Sequence, residues 1–463
     1  MPKRRVYVLS GKPEEDIAMA MAVTSRSPLP FDEILAQTDS AKSSKFLERF
    51  YITYGHGSIA DTAFIHIAVE NISQPAIKAT ENSRLAAYQE KSTRYQKIDR
   101  DHVVEPKEIQ ASKYHSIYQD TINALFDLYE NMSEALLEKA KSDSPRSSGE
   151  PEAAYLNRIR IPVFDQCRLI LPAGVMGNVG VTMSGRSIEY TIAKLLSHPL
   201  SEARDLGREM KKVAIKHLPI LVKHADLIDY LIDLEKDLEK TSQKLLGKNS
   251  SLPKSKTVKL VEYDRNALDR VLISALLRFS HQSYSDIKKK IAALSLAQKE
   301  KLFDKVIGKR EKRHDKPLRE LENTNYLFDF LVDFGAYRDL QRHRMLTQTA
   351  QVLDTSLGYV EPLSLGSSGF KNEYRKTMEM ADINFRKIAK EMPQEAQYLV
   401  PMAYRRRVLF NMSLREAFYL IELRSGQQGH ISYRRIAYQM WQEINRVHPY
   451  FAKHIKVDTT GLA

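Results

Sequence analysis

The chain has 463 residues, 43% of them hydrophobic and 28% charged, a composition typical of a globular protein with room for two or three domains. Its formal net charge of +13 favours anionic partners such as nucleotides or nucleic acid. The single cysteine, Cys167, excludes an internal disulfide and a cysteine-rich zinc site, and no apolar run is long enough for a membrane helix. These features predict a cytoplasmic protein.

Hydrophobic periodicity and capping residues predict the elements of the N-terminal half. Ser73 followed by Pro75 marks the start of a helix, because serine caps a helix N-terminus and proline fits its first turn. Residues 142–151, rich in Ser, Pro and Gly, predict a loop. Strands are expected at 6–9 and 63–69, and helices at about 14–24, 40–54, 107–141 and 201–245, with one more ending near 196.

The pattern restarts in the C-terminal half. Residues 244–257, rich in Ser, Gly, Pro and Lys, predict a linker between a first domain, 1–243, and a second domain, 258–463. The lysine-rich, amphipathic insertion at 284–313 is expected to be a solvated surface. Strands are predicted at 258–263 and 326–332, and helices at about 267–279 and after Gly335.

Three cations and a histidine crowd residues 338–344, after the strand at 326–332. A short helix is predicted to carry Arg338 and Arg342 on one face, four residues apart. Like charges at that spacing repel by about a few tenths of a kcal/mol, so an anion is a natural third member of the group. A solvated basic helix end is the alternative interpretation.

The sequence also contains an internal repeat. Residues 171–178 align with 400–407, and the same offset continues beyond them without a gap. A fixed offset over such a stretch indicates duplication. Within the second copy, Ser413 and Glu416 have the spacing of a helix capping box.

Arg342-His343-Arg344 resembles the Arg-His-Arg signature of the flavin-dependent thymidylate synthases. In that family the signature continues to a Glu-x-Ser-x-Arg-Tyr end, which does not follow here. That end stands in the first copy as Glu90-Lys91-Ser92-Thr93-Arg94-Tyr95, where Asn82 and Ser83 replace the start of the signature. The resemblance implies an α+β protein of two fused copies of this family's fold, each a small mixed or antiparallel sheet with packed helices.

The resemblance also implies roles for individual residues. Catalytic roles fall to Arg407, His56 and His314. Substrate nucleotide binding falls to Glu90, Ser92, Arg94, Arg407 and Arg434, and flavin binding to Arg342, His343, Arg344 and Arg424, with no metal. In the first copy Asn178 and Leu195 take the columns of Arg407 and Arg424, so the copies lack different parts and predict one composite site per chain.

The implied reaction is reductive methylation of dUMP to dTMP. The carbon donor is 5,10-methylenetetrahydrofolate, reduced FAD supplies the hydride, and NADPH is the reductant. The family needs no catalytic cysteine, so Cys167, in an apolar segment, is predicted to be buried and structural. Family members are homotetramers, so a duplicated chain is predicted to form a homodimer with a pseudo-tetrameric core.

Two alternatives stay open at this point. One is a non-catalytic homologue that binds nucleotide or flavin without turnover. The other is a flavin-dependent RNA-modifying or RNA-binding protein, which the net charge of +13 and the lysine-rich segment at 284–313 favour.

Overall fold

A computed structural model describes residues 4–247 and 256–462, so most of the predicted linker, residues 248–255, lies outside the described residues. Two compact units make up the chain. Unit 1 is formed from the described parts of 1–123, 172–250 and 386–399, and unit 2 from those of 124–171, 251–385 and 400–463.

The N-terminal half confirms the predicted strand at 63–69 and the helix start at Ser73. Its strands are β1 (Phe64–Ser73), β2 (Ala86–Glu90) and β3 (Met176–Ser184). Its helices are α1 (Glu14–Val23), α2 (Phe31–Ala36), α3 (Ser40–Leu47), α4 (Gln74–Thr80), α5 (Lys107–Gln110), α6 (His115–Asp143), α7 (Glu152–Cys167), α8 (Gly185–Leu196), α9 (Ser201–Ala214) and α10 (Asp229–Leu246). The Ser73 Oγ accepts a hydrogen bond from the Ala76 N–H at 3.2 Å, which caps α4.

The C-terminal half confirms the predicted strands at 258–263 and 326–332. Its strands are β4 (Val258–Tyr263), β5 (Asn325–Asp333), β6 (Leu346–Ala350) and β7 (Arg405–Ser413). Its helices are α11 (Ala267–Leu277), α12 (Tyr284–Ala292), α13 (Leu296–Ile307), α14 (Phe334–Leu340), α15 (Leu365–Ser368), α16 (Lys371–Ala389), α17 (Pro393–Ala396), α18 (Leu414–Arg424), α19 (Ile431–Val447) and α20 (Pro449–Ala452). None of the helices within the described residues has the length and apolar character needed to span a bilayer.

Each unit is built on one antiparallel sheet, in the order β1-β3-β2 in unit 1 and β4-β5-β7-β6 in unit 2. The two sheets share a register: Ala87 lies opposite Thr182 in unit 1, and Thr347 lies opposite Asn411 in unit 2. The repeat seen in the sequence therefore recurs as a strand, a helix, a turn and a second strand, and later in each copy a third strand and the helix that follows it. This confirms the predicted α+β fold of two copies.

The strand predicted at 6–9 is wrong. Residues 4–10 form no regular element, and Val6 and Val8 are 92% and 86% exposed. The Tyr7 hydroxyl instead donates to Asp32 at 3.0 Å, and Leu9 packs on the small cluster of α1 and α2. Among the described residues β1 pairs with β3 alone, with an irregularity between Val69 and Ile72, whereas β5 pairs with both β4 and β7.

β3, the central strand of its sheet, was not predicted. Its inward residues Val179, Val181 and Met183 are buried and alternate with outward residues, as expected of a strand. Gly177 and Gly180 interrupt the β-branched and aromatic pattern that marks a strand in a sequence. The partner strands β1 and β2 supply the pairing that the local sequence does not signal.

Candidate functional site

The arginine-rich turn of unit 2 joins α14 to β6. The helix ends at Leu340, so Arg338 is buried within it, whereas Arg342 is exposed in the turn that follows. The prediction that Arg338 and Arg342 share a helix face is therefore wrong. The physical reason is the Gln348 side chain, which donates to the carbonyls of Gln341 and His343 at 3.0 and 2.8 Å and holds the turn closed.

His343 is the centre of a chain of three hydrogen-bonded side chains. Its Nδ1 lies 2.8 Å from Oε1 of Glu416, and its Nε2 lies 3.0 Å from the donating Nε of Arg424. His343 and Glu416 are only 3% and 7% exposed, and the Arg424 guanidinium lies over the Tyr433 ring at 5.5 Å. Burial lowers the pKa of the His343 imidazole more than its bond to Glu416 raises it, so the ring is neutral near pH 7.

Asp339 gathers arginines beside this chain. Its Oδ2 is 3.5 Å from Nη2 of Arg168. Burial alone would raise the pKa of the Asp339 carboxyl, but nearby guanidinium charges hold it below its usual range; they belong to Arg168, Arg424, Arg342 and Arg338. The neighbouring carboxyls, those of Asp165, Asp333, Asp339 and Glu416, equal the four cations in number. The capacity for an anion therefore lies with the guanidiniums that solvent reaches, those of Arg342 and Arg424.

Arg407 lies on β7, on the sheet face opposite the buried side chains of Val408 and Phe410. Its Nη1 is 2.9 Å from Oδ2 of Asp329 on β5. The side chains of this pair are 28% and 24% exposed. The ion pair therefore orients Arg407 at a surface that solvent can reach.

Two polar residues of the C-terminal region are engaged within the protein. Arg434 is buried and donates to the carbonyls of Ser425 and Thr460 at 2.9 and 2.6 Å. Glu422 is buried and accepts two bonds of 2.5 Å from Arg310. These contacts tie down the C-terminal segment and the loop before β5; the nucleotide contact of Arg434 stays a prediction.

The two candidate catalytic histidines are exposed in loops. His56 lies in unit 1, with its ring 6.2 Å from the rings of Phe50 and Tyr54. His314 lies in unit 2, in a turn that the Asp315 carboxylate closes by accepting backbone N–H bonds. Their exposure leaves both rings accessible to a ligand, and their catalytic roles stay predictions.

The nucleotide-binding candidates of unit 1 stand at and after the end of β2. Glu90 is 6% exposed, and its Oε2 lies 3.0 Å from Nζ of Lys78, which also pairs with Glu81. The Ser92 Oγ accepts a hydrogen bond from the Arg94 N–H at 3.1 Å. Glu90 thus belongs to a buried ion cluster, and Ser92 shapes the turn that carries Arg94.

The shared register identifies which residues of the two copies correspond. Arg342, His343, Arg407, Glu416 and Arg424 of unit 2 correspond to Asn82, Ser83, Asn178, Ser187 and Leu195 of unit 1. Glu90 of unit 1 corresponds to Ala350, and the same count places Val352 and Asp354 against Ser92 and Arg94. At these positions each copy lacks charged groups that the other copy has, whereas Arg344 and Arg84 share a column and are kept in both.

Sequence reasoning missed three members of the unit 2 site: Glu416, Asp339 and Arg168. Glu416 was interpreted as a capping residue, and half of that prediction holds, because the Ser413 Oγ accepts the Glu416 N–H at 3.2 Å. Its carboxylate, however, bonds to His343. The signal that was available is the repeat itself, in which the column of Glu416 holds a serine in the first copy.

The fold and the site together define a tandem α+β protein whose second copy holds a cluster of arginines, two of them reached by solvent and able to bind an anion. The family model described as "Thymidylate synthase complementing protein" matches residues 6–220 and again 259–450. The chain belongs to this family and contains its unit twice, which confirms the resemblance drawn from the Arg-His-Arg turn.

Individual relatives agree with this assignment. A UPF0159 protein of Chlamydia pneumoniae is 33% identical over 437 residues, covering 91% of this chain and 82% of the relative. A flavin-dependent thymidylate synthase of Clostridium tetani is 24% identical over 226 residues, 48% of this chain and 86% of that protein. A solved flavin-dependent thymidylate synthase of Helicobacter pylori, complexed with FAD and dUMP, is 19% identical, covers 44% of this chain and 100% of that one, and has a TM-score of 0.32, too low to bear on the site.

Proposed function

We propose that this chain is a flavin-dependent methyltransferase that converts dUMP to dTMP. FAD is the bound cofactor, NADPH the reductant and 5,10-methylenetetrahydrofolate the carbon donor. The observation that carries the proposal is the complementary loss of ionic residues from two copies in the same register. Random decay of an inactive protein would not favour losses that leave one full set of groups between the copies.

The second copy has the groups that an FAD site needs. FAD contains a pyrophosphate, and arginine binds phosphate oxygens bidentately. Arg342 and Arg344 flank His343 in the turn, and Arg424 is oriented by the same histidine. When bound and reduced, the flavin would supply a hydride. These arginines would hold the cofactor's anionic part, and His343 would hold Arg424 in place.

The two copies offer different groups to the nucleotide. Ser92 and Arg94 of the first copy offer a hydroxyl and a guanidinium to a phosphate, the combination that the family resemblance implies. Arg407 of the second copy would stabilise negative charge that develops on the pyrimidine ring when its C5 is activated. Asp329, already paired with Arg407, would set the direction of that guanidinium.

Release of tritium from C5-tritiated dUMP tests the proposal, because methylation at C5 must replace that hydrogen. The protein is assayed with FAD, NADPH and 5,10-methylenetetrahydrofolate, and dTMP is measured in parallel. We expect both products, and we expect omission of NADPH or of 5,10-methylenetetrahydrofolate to abolish dTMP formation. Binding of FAD and dUMP without tritium release would contradict an enzyme and favour the non-catalytic homologue.

A matched pair of variants tests which copy holds the flavin. Arg344 and Arg84 occupy the same column of the repeat. Arg344→Ala should lower the flavin content of the purified protein, whereas Arg84→Ala should leave it near that of the wild type. Equal losses from both variants would count against assignment of the flavin to the second copy.

A further inference from the structure

We infer that Glu416 is a positioning residue for the cofactor site: through His343 it holds the Arg424 guanidinium in the orientation that grips the anionic part of FAD. The inference rests on the proposed flavin function and adds a residue and a physical role to it. Glu416, His343 and Arg424 are hereafter the Glu-His-Arg chain. All three belong to unit 2.

The hydrogen-bond partners of His343 fix its tautomer. Arginine is protonated at all relevant pH values and can only donate, so the imidazole Nε2 that receives the Arg424 Nε–H must carry a lone pair. The proton of the neutral ring is therefore on Nδ1, where it donates to the Glu416 carboxylate. A carboxylate only accepts, so Glu416 selects the one tautomer that can receive Arg424.

Two contacts fix the orientation of the Arg424 guanidinium. The Nε–H is fixed by His343, and the face of the guanidinium is fixed by the Tyr433 ring. Within residues 4–247 and 256–462, its two Nη groups donate to no acceptor of the protein. A planar guanidinium held at Nε presents Nη1 and Nη2 as a fork, which is the geometry that binds two oxygens of a phosphate.

Comparison of the two units shows that the fold does not require the Glu-His-Arg chain. Unit 1 builds the same helix, turn and strands with Ser83, Ser187 and Leu195 at the three positions. There the Ser83 hydroxyl bonds to Thr191 at 2.6 Å instead. Since the fold forms without the Glu-His-Arg chain, the fold alone does not explain a buried carboxylate and imidazole bonded to a half-buried guanidinium in unit 2. A ligand that needs an oriented cation does.

Glu416→Ser, the residue of the first copy, is the direct test. Without the carboxylate the imidazole can place its proton on Nε2, against the Arg424 Nε–H, and the fork is no longer held. FAD affinity, measured by quenching of flavin fluorescence on the full chain, should fall about tenfold, the equivalent of about 1.4 kcal/mol. An unchanged affinity in a folded Glu416→Ser protein would overturn the inference and leave Glu416 a merely structural residue.

Two histidine variants supply matched controls of similar polarity. In His343→Gln the amide oxygen can reach the position of Nε2 and still accept from Arg424. In His343→Asn the shorter amide reaches only the position of Nδ1, so the bond to Arg424 is lost. We expect His343→Gln to retain more FAD affinity than His343→Asn; the reverse order would overturn the inference.

A double variant isolates the coupling through His343. In the His343→Gln background, Arg424 no longer depends on a tautomer, so adding Glu416→Ser should leave FAD affinity unchanged and should raise thermal stability by removing an unpaired buried carboxylate. Additive losses of affinity would mean that Glu416 acts independently of His343. If the variants show this coupling but the wild-type protein forms no dTMP, only the proposed reaction is refuted. If the wild-type protein forms dTMP but the variants show no coupling, only the positioning role of Glu416 is refuted.

Discussion

Asp333 caps α14 with a carboxylate that is only 3% exposed, and its replacement has a calculable effect on stability. Its Oδ1 accepts the Ala336 N–H at 2.8 Å. Burial raises the pKa of the Asp333 carboxyl from 3.8 to about 6, although the bond from Ala336 and the charge of Arg168 oppose the rise. Between pH 3.8 and about 6 the folded protein therefore holds a proton on Asp333 that the unfolded chain has lost.

The sign and size of the effect follow from that difference. Below pH 3.8 both states are protonated, and the carboxyl contributes no pH dependence. As the pH rises to about 6, the unfolded state ionises first, so the free energy of unfolding falls. A difference of about 2 pH units at 1.36 kcal/mol per unit corresponds to about 3 kcal/mol, lost in full above that range.

Asp333→Asn removes the charge and keeps a good helix cap. In paired urea titrations the free energy of unfolding of Asp333→Asn should equal that of the wild type at about pH 4 and exceed it by about 3 kcal/mol at about pH 8. Asp333→Ser, which copies Ser73 of the first copy, should behave in the same direction. An advantage that does not change with pH, or a loss of stability at pH 8, would refute the reasoning.

Four further predictions follow from the contacts described. Arg310→Ala leaves the Glu422 carboxylate buried without its partner and should cost about 3–5 kcal/mol of unfolding free energy, part of which Glu422→Gln should restore; no measurable cost in denaturation would contradict this. Cys167→Ala should keep turnover, because burial raises the pKa of the thiol to about 11 and so disfavours a thiolate nucleophile. The small truncation in the core should cost about 1 kcal/mol of unfolding free energy, and a stable but inactive variant would point to a thiol nucleophile. Arg94→Ala and Arg407→Ala should each weaken dUMP binding roughly 10- to 150-fold in calorimetry, with a double variant that is less than additive if both grip one nucleotide; independent effects would mean separate sites. Sedimentation should give the mass of two chains at micromolar concentration, and a mass of one or of four chains would contradict the predicted homodimer.

The parts of the fold that sequence reasoning found are those encoded locally or by repetition. Alternating apolar residues gave β1 and β5, and the Ser73–Pro75 pair gave the start of α4, because each pattern is set by neighbours in the chain. The constant offset of the repeat gave the duplication. The absent strand at 6–9 shows the limit: an apolar run becomes a strand only when it pairs with a neighbouring strand, and residues 6–9 form no such pair within the described part of the chain.

Part of the site could also be predicted, because some of its residues stand in a local motif. Arg342, His343 and Arg424 were identified because they match motif columns, whereas Glu416 was missed because its spacing from Ser413 also fits a helix cap. Asp339 and Arg168 meet through tertiary packing that no local pattern encodes. Burial and hydrogen-bond partners, which decide the tautomer of His343, are properties of the folded unit only.

The visible absorption spectrum of the purified chain, with flavin released and counted per chain, tests the division of labour between the copies most directly. The second copy holds Arg342, His343 and Arg424, and the first copy holds Asn82, Ser83 and Leu195 in their places. We therefore predict a flavin spectrum with one FAD per chain at saturation. A protein that takes up no FAD at high micromolar concentration, or that binds two per chain, would contradict it.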